Sequence, residues 1–278
     1  MTHQPPQIIH GLSNADYHAL PSVSKSGLDL IRKAPILFKH RRENPTPQTE
    51  AMRMGTLVHK IVLEPDSFGD EFVVVPKVDR RTAQGKADWA AFEIASEGKD
   101  LVNQDEWEQL QSIRLAVWAH PSAGRLLGEL RDVEASIFWT DPDTGVECRC
   151  RPDGILNNGV IVDVKTTKDA SPDEFLRSIV KYRYHVQAAY YGDGYQAVFG
   201  KAPKGFAFIA VEPAPPHLVA VYVASAEMVL RGRTAYQADL GTYARCVETG
   251  EWPGLSTEPI ILDLPKWAGG QGWIITDS

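Results

Sequence analysis

Cysteine is scarce in this chain. Its three cysteines, Cys148, Cys150 and Cys246, are an odd number, and the first two alternate along one stretch without zinc-finger spacing. A disulfide framework is excluded, and three thiols cannot assemble a four-cysteine iron–sulfur cluster, so all three read as reduced and buried. Long apolar runs are missing too. None approaches the roughly 18 residues of a membrane span, which excludes a helical membrane protein. The opening Met1-Thr2-His3-Gln4-Pro5-Pro6 is polar and lacks the apolar core of a secretion signal, so the expected compartment is the cytoplasm. There is no internal repeat, low-complexity tract or flexible linker. A chain of 278 residues, 43% hydrophobic and 23% charged, reads as one soluble globular unit. Net positive charge is also lacking, at −7 overall, so a polyanionic partner has to be met by local clusters. Two exist: Lys25, Arg32, Lys33, Lys39, Arg41 and Arg42, opposed only by Asp29, and then Lys77, Arg80, Arg81 and Lys86. Each is either a phosphate-facing surface or an ordinary solvated face.

What is present is a pattern of carboxylates and a lysine. Arg151-Pro152-Asp153 is followed ten residues later by Asp163-Val164-Lys165. The segment 160–165 reads as a buried strand, and its period of two puts Asp163 and Lys165 on one face and Val160, Val162 and Val164 on the other. Phosphodiester hydrolysis needs a divalent cation to polarise the phosphoryl oxygen and acidify a water, and positive charge where the transition state gains anionic character. Asp163 suits the first task and Lys165 the second. Mg²⁺ demands several oxygen ligands, which makes Asp153, at the end of the preceding strand, the partner carboxylate. D-x-K alone is a common surface tripeptide, so its neighbours decide its meaning.

Those neighbours lie on two helices. From Ala51 to Leu63, apolar residues at Met54, Leu57, Val58, Ile61 and Val62 form an amphipathic stripe flanked by Gly55 and His59, four residues apart. A mid-helix glycine costs about 1 kcal/mol, which suggests close approach of another group to the backbone there. Packing against the stripe and metal ligation both remain open for His59. A second helix, beginning near Tyr182, places Gln187 and Tyr191 one turn apart on one side. Glu134, on the strand before Asp153, is either an outer carboxylate of the site or a solvated strand residue.

Gly55-x-x-x-His59, Arg151-Pro152-Asp153, Asp163-x-Lys165 and Gln187-x-x-x-Tyr191 occur in the order of the RecB-like branch of the PD-(D/E)XK nuclease superfamily. Further segments, among them Arg80-Arg81-Thr82, Cys148 to Asp153, Tyr182 to Gln187, Asp193-Gly194-Tyr195 and the late Leu264-Pro265-Lys266-Trp267-Ala268, resemble the nuclease domain of the exodeoxyribonuclease VIII (RecE) family over about residues 11–268. That resemblance implies an α/β (α+β) restriction-endonuclease-like core, a central mixed β-sheet flanked by helices. It implies His59, Asp153, Asp163 and the backbone carbonyl of Val164 as metal ligands, Mg²⁺ as cofactor with Mn²⁺ as a substitute, and Lys165 as the catalytic lysine. It also makes Gln187 and Tyr191 site-lining residues and assigns DNA contact to them and to Arg80, Arg81, Lys86, Arg149 and Arg151. The middle position of the superfamily motif is often glutamate and here is Asp163; either carboxylate can bind Mg²⁺.

The activity implied is Mg²⁺-dependent exonucleolytic digestion of linear double-stranded DNA, 5′ to 3′. Its products are 5′-phosphorylated nucleotides and a 3′ overhang. A RecT-like single-strand annealing protein is the implied partner in phage or prophage recombination, and a homo-oligomer, a ring included, the implied assembly. Two alternatives are a single-strand-specific Cas4-like or helicase-associated nuclease, and a non-catalytic DNA-binding protein on the same fold. The missing fourth cysteine and the absence of helicase motifs weigh against the first, and the complete ligand set against the second.

The organisation expected is one domain over 1–278, with an N-terminal helical part at about 11–63, a sheet core at about 133–224, and a C-terminal helix and tail over 225–278. Helices are predicted over 24–33, about 86–95, 104–119 and about 225–248. Strands are predicted over 71–75, 133–140, 146–151, 160–165, 205–211 and 218–224, with 133–165 forming one three-stranded meander that carries both aspartates. Residues 269–275 lie beyond the resemblance and read as a packed tail.

Overall fold

The computed structural model describes residues 5–262. In chain order these form β1 (Gln7–Ile9), α1 (Asn14–Ala19), α2 (Lys25–Lys33), α3 (Pro35–Glu43), α4 (Glu50–Leu63), a 3-10 turn at Pro65–Ser67, α5 (Phe68–Glu71), β2 (Phe72–Val74), α6 (Ala83–Ala95), β3 (Asp100–Val102), α7 (Gln104–Ala119) and α8 (Pro121–Gly128). There follow β4 (Leu130–Val133), β5 (Ser136–Thr140), β6 (Glu147–Cys150), β7 (Gly154–Leu156), β8 (Val160–Thr166), α9 (Pro172–Lys181), α10 (Tyr184–Phe199), β9 (Gly205–Val211), β10 (Val219–Val223) and α11 (Ala226–Thr249).

The central sheet runs β10-β9-β8-β7-β4. β8 and β9 are parallel while the other pairings are antiparallel, so the sheet is mixed, as expected. The alternation along β8 sorts its side chains into two cores. Ile161 packs with Phe175, Tyr190, Tyr195 and Phe208 on the side of α9 to α11. Val162 and Val164 pack on the other side with Leu57, Val58 and Ile61 of α4 and with Leu110, Ile113 and Val117 of α7. A strand buried on both faces has to be apolar nearly throughout. Asp163 is the buried exception on this strand.

Helix starts follow their capping residues. The side chains of Ser24, Thr49 and Thr82 accept from the third backbone N–H beyond them at α2, α4 and α6, and Asn103 with Glu106 closes a capping box on α7. Pro35 does not simply end α2: it stands at the first position of α3, where its missing N–H costs nothing.

The expected meander over 133–165 is corrected. β5 and β6 do pair, with Ile137 opposite Cys150, but in a separate three-stranded sheet with β1. The chain leaves this sheet at Arg151-Pro152-Asp153, where Pro152 cannot donate to a ladder, and β7 then enters the central sheet with Gly154 opposite Val162. The strand read over 133–140 likewise divides into β4 and β5, with Glu134 between them at φ +50°. Asp153 therefore lies at a junction of sheets.

Candidate active site

β8 supplies the centre. Asp163 Oδ2 lies 2.5 Å from Lys165 Nζ, the same-face pair that period two requires. Asp163 is 1% exposed, and its Oδ1 accepts a 2.5 Å hydrogen bond from Gln187 Nε2 on α10. Its Oδ2 receives no well-directed hydrogen bond; the contact with Lys165 is an ion pair that leaves acceptor capacity unused. The Lys165 side chain is 16% exposed, and its Nζ stands 4.7 Å from the centroid of the Tyr184 ring. Burial alone pulls the ammonium's pKa down, but Asp163 and Asp153 outweigh it and leave that pKa raised, so the charge persists at neutral pH.

Asp153 reaches across from the start of β7. Its Oδ2 accepts from the backbone N–H of Val164 at 2.6 Å. Burial, then the nearby Asp163, push the Asp153 carboxyl up to about 6. From α4, His59 places Nε2 2.7 Å from the Val164 carbonyl and Nδ1 3.6 Å from Asp153 Oδ2. Because a carbonyl only accepts, Nε2 carries the proton in this arrangement and the lone pair is on Nδ1 unless the ring is doubly protonated. Val164 is thus gripped at both its N–H and its C=O.

Glu134 completes the group. Its backbone N–H donates to the Asp153 carbonyl at 3.2 Å, and one ligand atom each from His59, Glu134 and Asp153 lies within 4.8 Å of the others. Burial first, then Asp153, push the Glu134 carboxyl well above the usual range. Sequence pattern left Glu134 undecided, since a left-handed conformation at a non-glycine residue leaves no periodic signal.

Three clustered carboxylates against one ammonium leave the site short of positive charge. The orphaned Asp163 Oδ2 and the raised Asp153 and Glu134 carboxyls are the local signs of it. The available donors are carboxylate and carbonyl oxygens with one imidazole nitrogen, a hard set suited to Mg²⁺ or Mn²⁺. Among the described residues His59, Glu134 and Asp153 bring ligand atoms close enough together to hold such an ion, with Asp163 and the Val164 carbonyl as the neighbouring oxygens.

The other candidates lie variously. Tyr191 is half-buried on α10 with its ring against Phe206, and burial pushes its phenol up. Arg149 and Arg151 are engaged by the amino-terminal segment. Arg149 is buried and donates to the Leu20 carbonyl at 2.7 Å and to Ser22; Arg151 donates to Ser136, Asn14 and the Leu12 carbonyl, each at 2.9 Å, and both lie over Tyr17. These bonds tie residues 12–22 to the end of β6 and the segment that leaves it. Arg80 stacks on Trp89, Arg81 pairs with Asp79 and Lys86 is exposed on α6, all away from Asp153 and Asp163. The close approach expected at Gly55 is not found, since a Cβ there would meet only Thr166 Oγ1 at 3.7 Å, an ordinary contact. Residues 264–268 and the tail 269–278 lie outside the described residues.

A cavity of about 190 Å³ lies away from this group, between Gln7, Leu20, Phe138 and Cys148. Among the described residues no helix is long and apolar enough to cross a membrane.

A putative exonuclease from Eubacterium rectale shares the fold with a TM-score of 0.61 at 12% identity, over 92% of this chain and 94% of that one. An alkaline exonuclease from Laribacter hongkongensis aligns over 84% of this chain and 95% of that one at 10% identity, but its TM-score of 0.30 carries no argument. No curated protein sequence matches. Residues 24–260 match the model of a family described as a PDDEXK-like domain of unknown function (DUF3799). That span takes in every residue of the carboxylate, lysine and histidine cluster, and the chain belongs to this family, within the PD-(D/E)XK nuclease superfamily.

Proposed function

We propose that this chain is a divalent-metal-dependent deoxyribonuclease that digests linear double-stranded DNA from an end. One observation carries the reading: α4, the entry to β7, β8 and α10 converge so that His59 and Asp153 meet at the backbone of Val164 while Asp163, Lys165 and Gln187 pair on the residues flanking it, with an excess of carboxylate. A bound Mg²⁺, or Mn²⁺ in its place, supplies polarisation of the phosphoryl oxygen and acidification of the attacking water. Asp153, Asp163, His59 and the Val164 carbonyl would hold it. Lys165, kept charged by its carboxylates, stabilises the anionic character that grows on phosphorus-bound oxygen and orients the water. Gln187 fixes the rotamer of Asp163, and Tyr191 lines the same side of α10. Water oxygen bonds to phosphorus, the 3′ oxygen leaves and takes a proton, and the products are a 5′-phosphate and a 3′-hydroxyl.

The 5′ to 3′ polarity, the duplex preference, the ring-like homo-oligomer and the single-strand annealing partner rest on the resemblance to the RecE family. The test is digestion of linear duplex labelled at the 5′ or the 3′ end, beside a closed circle, with Mg²⁺ or EDTA and with Asp163→Ala as control. Early loss of the 5′ label from linear DNA alone, dependent on Mg²⁺ and Asp163, is expected. Cleavage of circles points to an endonuclease and early loss of 3′ label to the opposite polarity. Activity persisting in Asp163→Ala overturns the site.

A further inference from the structure

The catalytic lysine stands at the inner end of an aromatic stack that runs out to solvent. Lys165 Nζ lies over the Tyr184 ring; Tyr184 is stacked on Tyr182 with centroids 5.6 Å apart and planes 26° from parallel. Tyr184 is backed in turn by Phe208 at 5.9 Å and by Phe175 at 6.1 Å, both in the core. Tyr182 is 49% exposed. An exposed tyrosine is commonplace; one stacked on the ring beneath a buried lysine is less easily dismissed.

The backbone beneath this outer ring is fixed. Tyr182 caps the C-terminus of α9, its N–H donating to the Ser178 carbonyl, and its own carbonyl accepts a 2.6 Å hydrogen bond from Lys25 Nζ. Arg183, the next residue, adopts φ +55° and is locked by Asp29 at 2.9 Å and by Asp239. Lys25 is itself paired with Asp29 at 2.7 Å, so its charge is spent on the scaffold. Lys181 is not: its Nζ sits 5.1 Å from the Tyr182 centroid, and among the described residues it has no carboxylate partner. A rigid, half-exposed aromatic face, with one available ammonium beside it and a second at its inner end, matches a base flanked by two phosphates.

We propose that Tyr182 is a stacking platform for the base of a nucleotide adjacent to the scissile phosphate, with Lys181 meeting a neighbouring phosphate. Only an unpaired base can present its face to a side chain in this way, so the platform receives a strand already separated from its complement at the cleavage point. This inference rests on the phosphodiesterase reading above and adds to it a requirement for local strand separation.

The test is equilibrium binding of a DNA end carrying 2-aminopurine at successive positions, in Ca²⁺ to hold off cleavage, by wild type, Tyr182→Ala, Tyr182→Phe and Lys181→Ala. Stacking on Tyr182 predicts quenching confined to one or two positions, lost in Tyr182→Ala with binding about ten-fold weaker, and retained in Tyr182→Phe. Lys181→Ala is expected to weaken binding and lower its salt dependence while the quench remains. The half-exposed position makes misfolding of Tyr182→Ala easy to exclude by its melting curve. Unchanged quenching and affinity in Tyr182→Ala overturn the platform while leaving the nuclease reading intact. Failure of wild type to bind any DNA end, in Ca²⁺ or in Mg²⁺, overturns both.

Discussion

Replacing Lys165 with Met separates the electrostatics of the site from its chemistry. The ammonium is 2.5 Å from Asp163 Oδ2, and at an effective dielectric of about 20 that separation corresponds to roughly 7 kcal/mol of attraction. Much of this is offset by dehydrating a lysine that is only 16% exposed. Removing one member of such a pair leaves the other buried and uncompensated, for a net loss of about 3–5 kcal/mol. In EDTA, Lys165→Met is therefore expected to unfold at markedly lower denaturant than wild type. A divalent cation then replaces part of the lost charge. Metal at one hundred times its dissociation constant stabilises any folded protein by about 2.7 kcal/mol, and the variant, with more uncompensated carboxylate, gains more than wild type does. Nuclease activity stays lost, because the cation cannot stand where Lys165 meets the phosphoryl oxygen. Denaturant titrations of both proteins in EDTA and in excess Mg²⁺ read all of this. A loss in EDTA below about 1 kcal/mol, or equal gains from Mg²⁺, refutes the account of an ammonium neutralising a cation site.

Three further outcomes are expected. His59→Ala raises the Mg²⁺ needed for half-maximal activity by at least about ten-fold without abolishing cleavage at saturation, read from activity against Mg²⁺ concentration; an unchanged requirement returns His59 to a packing role. Asp153 binds its proton more tightly folded, with a pKa of about 6, than unfolded, near 3.8, so its contribution is favourable at low pH and is lost as pH rises through about 6. The stability difference between Asp153→Asn and wild type in EDTA should therefore move in favour of the variant between about pH 4 and 6, by up to roughly 3 kcal/mol; a flat difference contradicts the shift, and saturating Mg²⁺ should suppress it. Glu134→Gly relieves a left-handed conformation and removes a buried carboxylate, so the metal-free variant should gain about 1 kcal/mol while its stabilisation by Mg²⁺ falls, as thermal melts with and without metal would show. A destabilised variant would mean that the glutamate side chain is structural.

The parts of the site legible in the sequence are those with a period. Alternation along β8 placed Asp163 beside Lys165, and helical spacing singled out His59 on α4, which meets the Val164 carbonyl, and Gln187 on α10, which meets Asp163. Residue spacing likewise gave α7 as Gln104–Ala119 and β9 as Gly205–Val211. What escaped was set by tertiary pairing. Three residues of β7 are too few to show alternation, and only pairing with β4 and β8 defines them. The surroundings of Arg149 and Arg151, to which the family resemblance assigned DNA contact, were equally out of reach of sequence pattern. Their acceptors are the carbonyls of Leu12, Leu20 and Ser22, more than a hundred residues away in sequence. Helices α3, α8 and α9 each begin at a proline, a residue that reads as an interruption until its position at a helix start is known.

The inward turn of those two arginines bears on how the domain can be trimmed. Arg149 and Arg151 flank Cys150, one residue before Pro152 and Asp153, and their acceptors all lie between Leu12 and Ser22 or on Ser136. The family match begins at residue 24, so a fragment cut at that boundary keeps every candidate ligand and discards most of the groups that satisfy the two guanidiniums. Each buried donor left without a partner costs about 1–3 kcal/mol, and the strain falls on the segment that aims Asp153. β1 goes with them, exposing the edge of β5. The amino-terminal arm is thus a buttress for the segment that carries Asp153, and the smallest unit able to hold that segment in shape starts well before the boundary that sequence matching draws.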